Sequence, residues 1–233
     1  MKGRKNIVLV HGWGQGSVKL VPLQKELHKR GWQARLVRLP GFELPDPPAA
    51  WGVREYADYV ESKLPSGWKK AGYVWFGHSF GGRLAVRAAV ELKQGLRGII
   101  LCAPGGFEAR NTLKLAVFKG LASLGRGVVG ENELARKVLY KLAGVIDYKR
   151  TDGVMREVFK KVVGEDLTPL LAAIETPVLI LWGDKDRVVP VTGGAFIKDR
   201  VQNGRLEIAV GEGHLLPYTK PGWVTERIEE WAG

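Results

Sequence analysis

The sequence predicts an α/β fold in which a mostly parallel sheet of about six strands has helices on both faces and carries an inserted helical cap. Short apolar runs alternate with amphipathic segments along most of the chain, which is typical of a parallel sheet with right-handed crossovers. Three of these runs are almost continuously apolar, as expected for strands covered on both faces. The interval 104–176 contains no clear strand, and it is where the cap is predicted.

The core elements follow in order along the chain. The first apolar run, NIVLV, comes after a basic amino terminus but is too short for the apolar part of a signal peptide, so it is taken as the first strand. The predicted strands are 6–10, 33–39, 72–76, 97–103, 177–182 and 205–210. The predicted core helices are 18–30, 51–64, 82–93, 193–200 and 221–231.

The interval between the fourth and fifth strands is predicted to be helical, because a loop of that length without its own structure is unusual in a compact domain. Residues 1–103 and 177–233 are therefore predicted to form the core, and 104–176 the cap. The first cap helix is apolar over most of its surface, which suits either packing against the core or lining an apolar substrate pocket. The predicted cap helices are 112–124, 131–143, 152–163 and 166–174.

Composition narrows the classes of function. The formal net charge is +12, which would attract acidic proteins, anionic lipid surfaces or nucleic acid. The basic residues are scattered and not interleaved with aromatic residues, so no specific nucleic-acid role is expected. No apolar run approaches the roughly 20 residues that a transmembrane helix needs. Cys102, the single cysteine, excludes an internal disulfide and favours a reducing, cytoplasmic location.

A candidate nucleophile stands where the third strand turns into a helix, in YVWFGHSFGGRL at 73–84. A G-x-S-x-G pattern alone is a weak signal, but a buried strand before it and a helix after it form the context of a nucleophile elbow. Ser79 is therefore the predicted nucleophile, and a serine hydroxyl requires a base to remove its proton.

Four histidines could supply the base. His28 lies among basic residues of a helix, His78 is adjacent to Ser79 and too constrained to reach back, and His11 ends the first strand. His214 follows the last strand, at the sheet edge where α/β folds place their sites, and is the predicted base.

The carboxylate that orients the base is expected after the fifth strand, where GDKD offers two aspartates. Asp186 is preferred because the turn at Gly183 would place it on a loop facing the site, whereas Asp184 suits a turn-forming role. The order Ser79, Asp186, His214 also matches the order associated with the nucleophile elbow.

An oxyanion hole needs two backbone donors. One is predicted to be the Phe80 N–H at the start of the elbow helix. The other is predicted to be the Trp13 N–H in HGWGQG, where neighbouring glycines allow close approach of the backbone. This loop lacks the G-x-G-x-x-G spacing and no acidic residue ends the second strand, so nucleotide binding is not expected. No metal or organic cofactor is required for this chemistry.

These motifs resemble those of the α/β-hydrolase superfamily in order and spacing over nearly the whole chain. The resemblance implies an α/β-hydrolase fold, a Ser-His-Asp triad and esterase activity. The chain starts at the strand before HG, so the first two strands of the superfamily are expected to be absent. Serine as the nucleophile argues against the dehalogenase and epoxide-hydrolase branches, which use aspartate. The matching motifs are HGWG, LPGF at 39–42, GHSFGG, GDKDRVVP, and GEGH followed later by Lys220-Pro221.

The expected activity is hydrolysis of a small-molecule carboxylic ester or acyl substrate by a serine esterase. Thioesterases, lactonases, C–C bond hydrolases and acyltransferases use the same triad, and some proteins with this scaffold only bind or signal. HGWG and the compact size are similar to carboxylesterases that demethylate carrier-bound pimeloyl methyl esters. Their carrier protein is acidic, so an acidic carrier is one candidate partner of this basic chain.

Overall fold

The computed structural model describes residues 5–92, 94–107 and 153–233, which contain one six-stranded sheet with strand order β2-β1-β3-β4-β5-β6. Every neighbouring pair of strands is parallel, so all the carboxyl ends lie along the same edge. The predicted parallel sheet of about six strands is confirmed. The strands are β1 Asn6–Val10, β2 Gln33–Leu36, β3 Tyr73–His78, β4 Leu96–Cys102, β5 Val178–Gly183 and β6 Gly204–Ala209.

Helices cover both faces of the sheet. Two segments, Ser17–Leu20 and Thr168–Ala173, are 3₁₀ helices. The α-helices of the described residues are α1 Val21–Lys29, α2 Val53–Ser62, α3 Trp68–Ala71, α4 Phe80–Glu91, α5 Gly153–Gly164, α6 Thr192–Lys198, α7 Leu216–Thr219 and α8 Pro221–Ala232.

The core consists of two apolar layers, one on each face of the sheet. Successive strand side chains point to opposite faces; accordingly Trp75 enters one layer, whereas Phe76 enters the other. The first layer packs the sheet against α2, α4, α5 and α6. The second layer packs it against α1, α7 and α8. Covering both faces explains why the central strands are almost continuously apolar.

Some boundaries of the strands and helices differ from the predicted ones, in part at prolines and glycines. The second strand ends at Leu36, three residues before its predicted end, although the Val37 N–H still donates to the Leu9 carbonyl at 3.3 Å. Pro22 lies in the first turn of α1, so the α-helix starts later than predicted, after a 3₁₀ turn. In contrast, α4 includes Gly81 and Gly82, which resemble a loop in sequence. The helices α3 and α7 are too short to produce a periodic pattern.

The described part of the predicted cap consists of 104–107 and 153–176. It contains α5, close to the predicted helix 152–163, and a 3₁₀ helix where 166–174 was predicted to be helical. The predicted helices 112–124 and 131–143 lie outside the described residues. The division of the chain into core and cap therefore stays a prediction. None of the helices that the structure describes is long and apolar enough to cross a membrane.

Candidate active site

Ser79 occupies a strained turn between β3 and α4. Its φ of 49° and ψ of −107° are unusual for a residue with a side chain, and such strain costs on the order of 1–3 kcal/mol. The Ser79 N–H donates to the carbonyl of Cys102 at 2.9 Å, and its own carbonyl accepts from the Gly82 N–H at 3.1 Å. The turn leaves Ser79 partly exposed at the carboxyl edge of the sheet.

The glycines that flank Ser79 are required by close backbone contacts. A Cβ on Gly77 would overlap the carbonyl of Gly81, and a Cβ on Gly81 would overlap the carbonyl of Val10. The elbow is thus pressed against both its own helix and the end of β1. A larger residue at either position would overlap this backbone and displace the turn that holds Ser79.

His214 and Asp186 meet across two loops at the same edge. The His214 Nδ1 atom lies 2.8 Å from Asp186 Oδ2, so Nδ1 carries the proton that it donates to the carboxylate. The other oxygen, Oδ1, accepts the backbone N–H groups of Val188 and Val189, both at 2.8 Å. The Asp186 side chain is fully buried and three bonds fix its orientation. The His214 Nε2 atom is therefore unprotonated and available as a base in neutral imidazole.

Asp184 has a different role in the same loop. Its Oδ1 atom accepts the backbone N–H of Gly211 at 2.6 Å, and its carboxylate is partly exposed. It links the turn after β5 to the turn after β6 and has no hydrogen bond to His214 among the described residues. This placement agrees with the turn-forming role predicted for Asp184.

The two predicted oxyanion donors have unused N–H groups within the described part of the chain. Phe80 is the first residue of α4, so its N–H has no acceptor within the helix. The Trp13 N–H likewise donates to no described group, although the adjacent turn is closed by a bond from the Gln15 N–H to the Gly12 carbonyl at 3.3 Å. Their indole and phenyl rings are in edge-to-face contact, with centroids 5.4 Å apart.

Aromatic side chains surround these amides. The Trp13 ring also contacts Phe42, with centroids 4.9 Å apart, and Phe159 of α5, with centroids 5.0 Å apart. Phe42 and Tyr56 each contact the Phe80 ring as well. The surroundings of the predicted oxyanion hole are thus apolar, and α5 supplies part of them. Such surroundings suit an apolar acyl group and strengthen hydrogen bonds to a developing charge.

His78 and Tyr218 connect the loops around Ser79 and were not predicted as site residues. His78 ends β3 and its ring contacts the His214 ring, with centroids 4.9 Å apart. Its Nε2 atom lies 2.8 Å from the His214 carbonyl, and its Nδ1 atom lies 2.8 Å from the Tyr218 hydroxyl. Within the described residues the His214 ring is hydrogen-bonded to Asp186 and not to the Ser79 hydroxyl. Bonds of this kind often tighten only when substrate is bound.

The remaining two histidines have no hydrogen bond to Ser79, Asp186 or His214 among the described residues. Buried His11 lies with Nδ1 2.8 Å from the Gly12 carbonyl, and burial lowers its pKa. His28 is exposed near the end of α1, where its Nε2 atom lies 3.3 Å from the Ala34 carbonyl. The described residues contain no group of three or more histidine, cysteine or acidic side chains arranged to hold a metal ion.

Known proteins share sequence and fold with this chain. The chain is similar to a pimeloyl-(acyl-carrier protein) methyl ester esterase of Shewanella woodyi, with 27% identity over 206 residues that cover 80% of this chain and 77% of the relative.

Two solved structures share the fold. MenH from S. aureus matches with a TM-score of 0.72 and 18% identity, covering 100% of this chain and 96% of that one. An esterase from Exiguobacterium antarcticum also matches with a TM-score of 0.72 and 18% identity, covering 98% of this chain and 92% of that one. A model described as the alpha/beta hydrolase family matches residues 7–227.

Proposed function

The chain belongs to the alpha/beta hydrolase family, and on that premise we propose that it is a serine hydrolase that cleaves carboxylic esters through an acyl-enzyme on Ser79. The observation that carries this proposal is the bond between His214 Nδ1 and Asp186, which leaves His214 Nε2 as a base on the loop beside the Ser79 turn. Ester hydrolysis is also the activity named for the relatives similar to this chain.

In the first half of the proposed reaction, the Ser79 hydroxyl attacks the carbonyl carbon of the ester. The hydroxyl proton moves to His214 Nε2, and the carboxylate of Asp186 stabilises the imidazolium that results. The carbonyl oxygen becomes an anion and accepts the N–H groups of Trp13 and Phe80. His214 then gives its proton to the leaving oxygen, which departs as an alcohol and leaves the acyl group on Ser79.

The second half repeats these steps with water. His214 takes a proton from a water molecule as that water attacks the acyl carbonyl, and the same two amides hold the second oxyanion. Collapse of this intermediate breaks the bond to Ser79 Oγ, which recovers a proton from His214. The products are the carboxylic acid and the free enzyme, and the chain's own residues supply every proton transfer.

A finer proposal concerns the substrate. The Shewanella woodyi relative and a similar protein of Proteus mirabilis are named as pimeloyl-(acyl-carrier protein) methyl ester esterases. This chain has a formal net charge of +12, which favours encounter with an acidic carrier. We infer that carrier-linked acyl methyl esters are one substrate class for the Ser79 site.

The interval 104–176 is proposed to act as a cap over this site. The described part that supports the proposal is α5, whose Phe159 ring contacts Trp13 beside the predicted oxyanion donors. Met155 of the same helix packs close to Gly41 and Tyr56. A substrate acyl group at Ser79 would therefore meet side chains from both core and cap.

Replacing the proposed nucleophile tests the function directly. We expect Ser79→Ala to lower turnover of p-nitrophenyl acyl esters by at least about 10⁴-fold and to abolish labelling by a fluorophosphonate probe, because no other hydroxyl stands at the elbow. Ser62→Ala is the matched control, since Ser62 lies at the exposed end of α2, and it should retain both properties.

Two outcomes would contradict the proposal. Labelling that survives in Ser79→Ala would remove Ser79 from the reaction. Ligand-induced stabilisation of the wild-type protein, with no turnover over long incubation, would favour a binding protein on a hydrolase scaffold.

A further inference from the structure

His78 and Tyr218 form a hydrogen-bonded pair that takes no part in the proton transfers described above. His78 is the last residue of β3 and is almost completely buried, and Tyr218 lies in α7, the short helix after the His214 loop. The Tyr218 hydroxyl lies 2.8 Å from His78 Nδ1, and the two rings are in edge-to-face contact with centroids 5.0 Å apart.

The partners of the pair fix the position of each proton. The His214 carbonyl can only accept, so His78 Nε2, at 2.8 Å, must carry the donated proton. In neutral imidazole, Nδ1 is then an acceptor, and the Tyr218 O–H donates to it. The Tyr218 oxygen remains free to accept, and the Gly12 N–H points to it over a longer distance of 3.5 Å.

The neutral state of His78 is consistent with its surroundings. Burial, together with the nearby His214 and His11 side chains, lowers the pKa of His78 to about 3, against the opposing effect of its bond to the His214 carbonyl. Burial also raises the pKa of Tyr218, which keeps its hydroxyl protonated as a donor. The direction of both bonds is therefore preserved at neutral pH.

The pair joins three loops that lie far apart in sequence. His78 precedes Ser79, and its ring donates to the backbone carbonyl of His214. The Tyr218 hydroxyl lies near the Gly12 N–H, one residue before Trp13. The contact with the β1 loop is close, because a Cβ on Gly12 would lie only 2.8 Å from His78 Nδ1. The pair thus contacts the segments that carry the predicted nucleophile, the predicted base and one predicted oxyanion donor.

We propose that His78 and Tyr218 are positioning residues, which hold the His214 backbone and the Gly12 N–H, one peptide before the Trp13 N–H, at a fixed distance from Ser79. This inference rests on the function proposed above and adds the buried pair to the three side chains of the triad. A small displacement of reacting groups is costly, because about 1 Å of misplacement can slow catalysis by about 100-fold. The pair acts through the groups that it holds and touches no substrate.

The first test removes one oxygen atom from the bridge. We expect Tyr218→Phe to lower kcat by about 10- to 100-fold, with KM changed by no more than about twofold, because the bond positions catalytic groups and does not bind substrate. The rate of fluorophosphonate labelling should fall in parallel. Tyr73→Phe is the matched control, since the buried Tyr73 hydroxyl has no partner among the described residues and stands at the opposite end of β3.

The second test separates the two bonds of His78. Glutamine places an amide N–H near the position of imidazole Nε2 and can keep the bond to the His214 carbonyl, whereas asparagine can only replace Nδ1. We therefore expect His78→Gln to retain more kcat than His78→Asn at equal folded fraction. The double variant His78→Gln with Tyr218→Phe should show a fold-loss in kcat smaller than the product of the two single fold-losses, because the two residues act as a unit.

Several outcomes would overturn the inference. The positioning role fails if Tyr218→Phe and Tyr73→Phe have the same kcat, or if the fall in kcat of Tyr218→Phe is explained by a fall in the folded fraction. It also fails if His78→Asn retains at least as much kcat as His78→Gln. A wild-type protein that neither hydrolyses esters nor reacts with fluorophosphonate would instead remove the proposed function. An active wild type with unaffected variants would remove only the positioning pair.

Discussion

Asp184 and Asp186 stand two residues apart on one loop and have different partners. Asp186 is buried, with one oxygen directed to His214 and the other held by two backbone N–H groups. Asp184 is partly exposed and binds the Gly211 N–H of the neighbouring loop. The turn that begins at Gly183 is closed by the Asp186 N–H, which donates to the Gly183 carbonyl at 3.2 Å. Within this turn the Asp184 side chain faces Gly211 and the Asp186 side chain faces His214.

This difference in partners predicts unequal effects of substitution. Asp186→Asn should lower kcat by about 10⁴-fold, because an amide at Oδ2 can favour the wrong tautomer of His214. Asp184→Asn keeps an acceptor for Gly211 and should lower kcat by less than about tenfold. Steady-state kinetics on a p-nitrophenyl ester would measure both losses, and the opposite ranking would assign the orienting role to Asp184.

The residues expected to carry the chemistry could be found from local sequence, whereas those that hold them in place could not. Ser79, Asp186 and His214 each follow a strand and lie within three residues of a glycine, so local context marks them. His78 and Tyr218 are 140 residues apart, and no short motif connects them. His78 was not expected to act as the base, because it is adjacent to Ser79. Nothing in the local sequence indicates its contact with the His214 loop.

At the level of secondary structure elements, Arg83 connects the elbow helix to both described ends of the predicted cap. This buried side chain lies in α4, and its Nη1 atom donates to the Gly105 carbonyl at 2.9 Å. Its Nη2 atom donates to the carbonyls of Val162 and Glu165 at 2.7 and 2.6 Å. These two carbonyls lie at the end of α5, where a helix lacks internal donors and a cation is favourable. Burial lowers the pKa of Arg83 to about 10, so the side chain remains charged at neutral pH.

This arrangement predicts that Arg83→Met destabilises the fold by about 3 kcal/mol, because the substitution leaves three carbonyls without a charged donor. Arg87→Met is the matched control one helical turn further along α4. Arg87 pairs with Glu91 and Glu165 in a more exposed setting, and we expect a cost of no more than about 1 kcal/mol. Urea unfolding of both variants measures the difference, and equal losses would show that the three carbonyl bonds contribute little.

Elements with long, regular patterns could be predicted, whereas those set by tertiary contacts could not. All six strands were placed within three residues. The four central strands are buried and largely apolar, whereas the edge strands β2 and β6 alternate polar and apolar residues. The interval 166–174 was predicted to be helical and contains a 3₁₀ helix, since Pro169 lies in its first turn and shortens the regular segment. Arg83 could not be recognised, because a cation on a helix gives no local signal that it will be buried.

For the whole molecule, the net charge of +12 leads to a prediction about partners. If an acidic acyl carrier protein delivers the substrate, raising salt from low to high concentration should lower kcat/KM for a carrier-linked methyl ester by about tenfold or more, because steering is screened. The kcat/KM for the same ester without its carrier should change little over the same salt range. Stopped-flow or initial-rate measurements across a salt series would show this contrast, and equal salt dependence would argue against an acidic carrier.

The parallel sheet also determines at what stage of chain synthesis the proposed catalytic groups can come together. The groups proposed to hold or perform the chemistry extend from Trp13 to Tyr218, and they meet only at the edge where β1, β3, β5 and β6 end. A chain still leaving the ribosome would therefore have its nucleophile turn long before it had a base. Recovery of hydrolysis after denaturation would accordingly require the final segment to be docked against the sheet.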